Sequence, residues 1–93
     1  MTTVAKQVTV RGRVQGVWYR AWTVEHARAL GLAGWVRNRS NGDVEALIEG
    51  EAGAVEALLE RLWDGPPAAR VDHIETSDKA PGALIGFEQR GTL

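Results

Sequence analysis

The residues best suited to chemistry are Gly12-Arg13-Val14-Gln15-Gly16-Val17-Trp18-Tyr19-Arg20, between an alternating segment and a helical one. Two glycines four apart let a short loop curl so that successive backbone N–H groups converge. At the start of a helix, such a loop is an anion cradle. It is not the nucleotide loop Gly-x-x-x-x-Gly-Lys-Ser/Thr, because Val17 stands where the lysine belongs. Arg20 in the first helical turn faces the positive end of the dipole, a placement that costs about a few tenths of a kcal/mol and that an arriving dianion reverses. Its planar fork matches two phosphate oxygens, which lysine cannot copy. The plainer alternatives are an ordinary strand-to-helix turn for Gly12 and Gly16, and an Arg20 that reaches water or pairs with Glu25.

Asn38 is the second candidate. A side-chain amide both accepts and donates, so it can orient a water without changing charge, although asparagine before a turn more often caps its own backbone. Charge supports an anion site in the first half of the chain. Residues 1–40 carry Lys6, Arg11, Arg13, Arg20, Arg28, Arg37 and Arg39 against Glu25 alone, a net +6; residues 41–93 carry four cations against eleven acids, a net −7. The competing expectation is that folding interleaves the two sets.

These groups must be positioned by a small scaffold. The 93 residues, 44% hydrophobic and 25% charged with net charge −1, suit one domain spanning 1–93. With no cysteine there is no disulfide, thiolate nucleophile, thiolate metal site or iron–sulfur cluster, and with two histidines, His26 and His73, a structural zinc site would need several carboxylates. No apolar run is long enough to span a membrane and the N-terminus lacks a secretory h-region, so the chain reads as cytoplasmic.

Val8 to Val14 alternates with period two, placing Val8 and Val10 toward a core. From Tyr19 to Leu30 the period turns helical, with Tyr19, Thr23, Ala27 and Leu30 on one stripe and Gly31 as a C-terminal cap. A second strand covers 32–38. Asn41-Gly42 predicts a type I′ hairpin, both residues taking positive φ, into a third strand with Val44, Ala46 and Ile48 on one face. A second helix spans about Glu51 to Trp63 and stops at Gly65-Pro66-Pro67. A fourth strand from Arg70 to Thr76 carries Val71 and Ile74 on opposite parities, which implies a bulge or an edge position. A short last strand falls near Ile85 to Arg90. The order predicts an α+β two-layer sandwich, βαββαβ plus a short fifth strand, with an antiparallel sheet and two helices on one face.

Taken together, these segments resemble the acylphosphatase family. Gly12 to Arg20 is similar to its glycine-x-valine-glutamine-glycine-valine-x-aromatic-arginine signature, and Leu30-Gly31-Leu32-Ala33-Gly34-Trp35-Val36-Arg37-Asn38 to its second block. Asn41 to Glu45, Glu49-Gly50, Gly65 to Val71 and Phe87 continue in register, so the likeness covers nearly the whole chain. The resemblance implies a ferredoxin-like fold and the hydrolysis of acyl phosphates. It implies a phosphate-binding loop made of Arg13, Val14, Gln15, Gly16, Val17, Trp18, Tyr19 and Arg20. It makes Arg20 the essential arginine and Asn38 the water-orienting asparagine, with Arg13 adding to the local field.

The chemistry is consistent with what the chain lacks. A departing carboxylate has a conjugate acid of pKa about 4 to 5 and needs no general acid at neutral pH, so no histidine is required. Binding the spread phosphoryl charge and placing the water is most of the work, without metal or cofactor. The expected ligands are a small acyl phosphate and inorganic phosphate or sulfate, and the expected state is a monomer. The alternative from another class is a non-catalytic phosphoryl-ligand module on the same fold. RNA binding is disfavoured because Thr9 and Arg11, not an aromatic, face outward on the first strand, and Trp35 is alone on the second.

Overall fold

The computed structural model describes residues 2–93. Its elements are β1 (Thr3–Arg13), α1 (Tyr19–Ala29), β2 (Ala33–Asn38), β3 (Val44–Glu51), α2 (Ala52–Asp64), β4 (Arg70–Lys79) and β5 (Phe87–Arg90). They form one five-stranded sheet in the order β4-β1-β3-β2-β5. β1 runs antiparallel to β3 and β4, and β2 antiparallel to β3, but β5 lies parallel to β2. The sheet is therefore mixed, which corrects the antiparallel expectation. Period-two patterning marks which face a residue takes, not the direction of its neighbour; the chain turns back after β4, and because β2 also runs opposite to β4, the returning β5 lies parallel to β2.

The alternation does fix the faces. Val8 and Val10 of β1, Val36 of β2, and Val44, Ala46 and Ile48 of β3 are all buried against Tyr19, Ala27, Val55, Leu58 and Leu62 from the two helices. α1 covers β2 and β5, while α2 covers β1, β3 and β4. Glu51 is the N-cap of α2 rather than its first residue, its Oε2 accepting from the Ala54 N–H at 3.1 Å. β4 is an edge strand. Its bulge lies at Asp72, because Arg11 pairs with His73 and Gly12 with Val71. The extra residue returns Val71 and Ile74 to the same packed face, which explains their mismatched parity.

Two turn expectations change. In the β2–β3 hairpin only Gly42 takes positive φ (98°), and the Gly42 N–H donates to the Arg39 carbonyl at 3.1 Å. The connection is thus a turn at Ser40-Asn41 followed by a left-handed glycine, not type I′, and the Asn41 side-chain Oδ1 accepts from the Asp43 N–H at 3.0 Å. Gly12 belongs to β1, not to the loop. With φ 135°, it faces the bulge so closely that a Cβ would stand 2.2 Å from the Arg70 carbonyl oxygen.

Candidate active site

The segment between β1 and α1 has only one flexible glycine, Gly16 (φ 72°), yet Trp18 also takes a left-handed conformation (φ 67°, ψ 21°) as the α1 N-cap. Residues of opposite φ sign thus alternate across Gly16, Val17 and Trp18, the pattern that turns successive N–H groups toward one side. Among the described residues, none of the backbone N–H groups from Gln15 to Arg20 finds an acceptor. A bulky residue in this conformation is strained by about 1 to 3 kcal/mol, and strain of that kind concentrates at functional sites.

The apolar members of the segment hold it down. Val14 and Val17 are buried, and Tyr19 is a core side chain whose hydroxyl donates to the Leu62 carbonyl at 2.6 Å. Burial pushes the Tyr19 phenol above its ordinary range. The Gln15 side chain has a structural job. Its side-chain amide donates to the Arg39 carbonyl at 2.7 Å and to the Asp43 carbonyl at 2.9 Å, clamping the loop to the β2–β3 hairpin just beyond Asn38. Trp18 projects outward, 70% exposed, and Arg13 is exposed at the end of β1.

Arg20 neither pairs with Glu25 nor floats in water. One guanidinium nitrogen donates to the Arg90 carbonyl at 3.1 Å, at the end of β5. Arg90 is level with Arg37 in the parallel register, one residue before Asn38. The Leu93 N–H then donates to the Asn38 carbonyl at 3.0 Å. The loop, Arg20 and Asn38 therefore meet at one end of the sheet. The side-chain oxygen of Asn38 is buried without a hydrogen-bond partner, so this amide does not cap its own turn. A buried, unsatisfied acceptor costs about 1 to 3 kcal/mol and calls for a partner from outside the protein, such as a water.

Folding interleaves most of the segregated charge. Lys6 pairs with Asp78, Arg11 with Asp43 and Glu75, and Arg37 and Arg39 with Glu45. Among the described residues Arg13 and Arg20 have no carboxylate partner, so uncompensated positive charge is left at the loop. Arg37 and Arg90 lie over the Trp35 ring, 4.6 and 4.9 Å from its centroid. The histidines are elsewhere: His26 stacks on Trp22 and contacts Arg61, and His73 is exposed on β4. Among the described residues no cluster of three or more His, Asp or Glu could hold a metal, and no helix is long and apolar enough to cross a membrane.

Sequence reasoning missed the Gln15 clamp, the Arg90 carbonyl and the Leu93 contact. The polar side chain of Gln15 beside a glycine was a signal for the first. The other two are backbone groups far along the chain and leave no local signal.

An arginine without a carboxylate partner beside N–H groups without acceptors, on a two-layer sandwich, marks a ferredoxin-like α+β protein whose loop is suited to anions. Residues 6–88 match the sequence profile of the family described as Acylphosphatase. The acylphosphatase of Rhodospirillum rubrum is 55% identical over 86 residues, covering 92% of this chain and 94% of that one. The crystal structure of acylphosphatase from Bacillus subtilis superposes with a TM-score of 0.92 at 33% identity, over 94% of this chain and 98% of that one. An acylphosphatase from Coxiella burnetii superposes at 0.91 with 39% identity, over 95% and 93%. The chain belongs to the acylphosphatase family, and its activity is the hydrolysis of acyl phosphates to a carboxylate and inorganic phosphate. The reading as a non-catalytic module gives way to an enzyme.

Proposed function

We propose that the N–H groups from Gln15 to Arg20, together with the Arg20 guanidinium, hold the phosphoryl group, and that Asn38 orients the attacking water. The observation that carries this reading is the row of backbone N–H groups without acceptors beside an arginine without a carboxylate. Fixed dipoles of this kind stabilise charge that spreads over the equatorial oxygens in the transition state, and they need no reorganisation as it develops.

In the reaction, the water oxygen forms a bond to phosphorus as the bond from phosphorus to the acyl oxygen breaks. The electron pair leaves with the carboxylate, whose low basicity removes the need for an acid. The water's proton passes to a phosphate oxygen, giving inorganic phosphate. The Asn38 side-chain oxygen, buried and unpartnered, accepts one hydrogen of the water and sets the direction of its lone pair. No step calls on a metal or a histidine.

Val14 and Val17 seat the loop in the core, Gln15 fixes it to the hairpin, Gly16 and Trp18 supply its curvature, Tyr19 locks α1 to α2, and Arg13 adds positive field. Residues 1–93 are read as one unit working as a monomer, in the cytoplasm, on a small acyl phosphate. Titrating the 15N-labelled protein with inorganic phosphate tests the reading. The amide resonances of residues 15–20 should move together and saturate; a response confined to other residues would refute the cradle.

A further inference from the structure

The connection from β4 to β5, residues 80–86, joins opposite edges of the sheet and crosses the face that the helices leave open. Four strand spacings of about 4.8 Å make the crossing roughly 19 Å wide. The eight Cα steps from Lys79 to Phe87 reach about 27 Å when extended, leaving little slack once the strap has also risen over the sheet. Glu49 grips it at mid-span. This side chain sits on the central strand β3, is 5% exposed, and accepts from the Gly82 N–H at 2.6 Å and the Leu84 N–H at 2.8 Å. Its register neighbours on β1 and β2 are Ala5 and Ala33, small enough to let the strap approach the carboxylate.

The far end of the strap leads to the site. The Gly86 carbonyl accepts from the Gly34 N–H at 2.9 Å, Phe87 enters the core, and β5 pairs with β2 along one side only before its last carbonyl, that of Arg90, accepts from Arg20. β5 is a four-residue edge strand held at its start by buried Phe87, whose carbonyl accepts from Arg28 Nε at 3.1 Å, and past its end by the Leu93 bonds, with the strap as the tether that enters it.

We infer that Glu49 is a positioning residue for the hydrolysis: by fixing the strap it sets β5, and through the Arg90 carbonyl it sets the orientation of the Arg20 guanidinium. The inference rests on the assignment of Arg20 to phosphate binding. Glu49→Gln is the suitable variant, since the amide keeps the shape and one acceptor but turns an N–H₂ group toward one of the two strap N–H groups.

The experiment measures the dissociation constant of inorganic phosphate by 15N amide titration, which needs no turnover, and the melting temperature for the wild type, Glu49→Gln, Arg20→Ala and the double variant, with kcat and KM for acetyl phosphate for the wild type and Glu49→Gln. Glu49→Gln should weaken phosphate binding about threefold to tenfold while the protein still melts cooperatively. In the Arg20→Ala background the same change should weaken it no further, because the group it positions is gone. A Glu49→Gln protein with a lower melting temperature but phosphate binding within about twofold of wild type would reduce Glu49 to a staple for the strap and overturn the inference. An equal loss with and without Arg20 would also overturn it, since the effect would not pass through that side chain. Phosphate binding unaffected by Arg20→Ala would overturn the assignment of Arg20 itself, and the inference with it.

Discussion

The end of β1 at Gly12 and the loop at Gly16 lie four residues apart in one motif, and both hold glycine at positive φ, at 135° and 72°. Around Gly12 there is no room: a Cβ would meet the Arg70 carbonyl oxygen at 2.2 Å and the Asp72 nitrogen at 2.8 Å, because this strand packs against the β4 bulge. Around Gly16 there is nothing within 4 Å, and the neighbouring N–H groups have no acceptor among the described residues. The strand end is closed, with its backbone committed to the sheet. The loop is open, with strain and unpaired donors left in place. Regions selected for stability satisfy their polar groups, whereas the proposed cradle keeps them free for the phosphoryl group.

The sharpest way to break this contrast is Arg20→Ala. Removing a charge-assisted fork should cost about 2 to 5 kcal/mol of phosphate and transition-state binding, so turnover should vanish and phosphate binding, read by 15N amide titration, should weaken together. Arg20→Lys should rescue little. A lysine variant retaining more than about a tenth of the activity, on the scale of roughly 1.4 kcal/mol per decade, would show that the planar fork is not what the site uses.

Asn38→Ala comes next, with a loss of about 100-fold or more in kcat but near-normal phosphate inhibition, since the amide acts on the water. Steady-state kinetics with phosphate as inhibitor separates the two; an unchanged kcat would return Asn38 to the hairpin.

The glycines themselves give the third comparison. Gly12→Ala should destabilise the fold by about 2 kcal/mol or more, through strain and the clash with β4, as read by urea denaturation. Gly16→Ala should cost only about 1 kcal/mol of stability. Its effect should fall instead on phosphate affinity, because its methyl enters space the cradle keeps open. Equal stability losses would erase the distinction between closed and open regions.

A smaller effect concerns Tyr19, the only tyrosine in the chain. Its phenol is held above its ordinary range by burial. The unfolded chain releases that proton near pH 10, while the folded protein retains it to higher pH. The contribution to stability is therefore complete below about pH 10 and lost as pH rises beyond it. Tyr19→Phe should remove the tyrosine's share of that alkaline decline, leaving that of Lys6, whose ammonium Asp78 also holds above its ordinary range, and absorbance titration should show tyrosine ionisation coinciding with unfolding. The smallest expected effect is that of His26→Gln combined with His73→Gln. This variant should retain most activity between about pH 6 and 8, with and without EDTA. A collapse in either arm would mean a base or a metal ligand at the site that the proposed mechanism omits.

The sequence by itself determined what short-range rules can carry. Period-two patterning in Val8 to Val14 and Val44 to Ile48 settled which residues face the helices, because side chains alternate along any strand. Gly16 ahead of a helical stripe marked the loop that turns its N–H groups without acceptors toward one side, because such a curl needs only neighbouring residues. The motif could not tell that Gly12 serves the β4 bulge, that Gln15 clamps the hairpin, or that β5 returns parallel, since each depends on a partner brought from elsewhere. Arg20 and its carbonyl partner are 70 residues apart, and Glu49 grips N–H groups 33 and 35 residues away. Such contacts leave no periodicity in the chain. They exist only once the sheet order has closed, and the tertiary structure alone decides them.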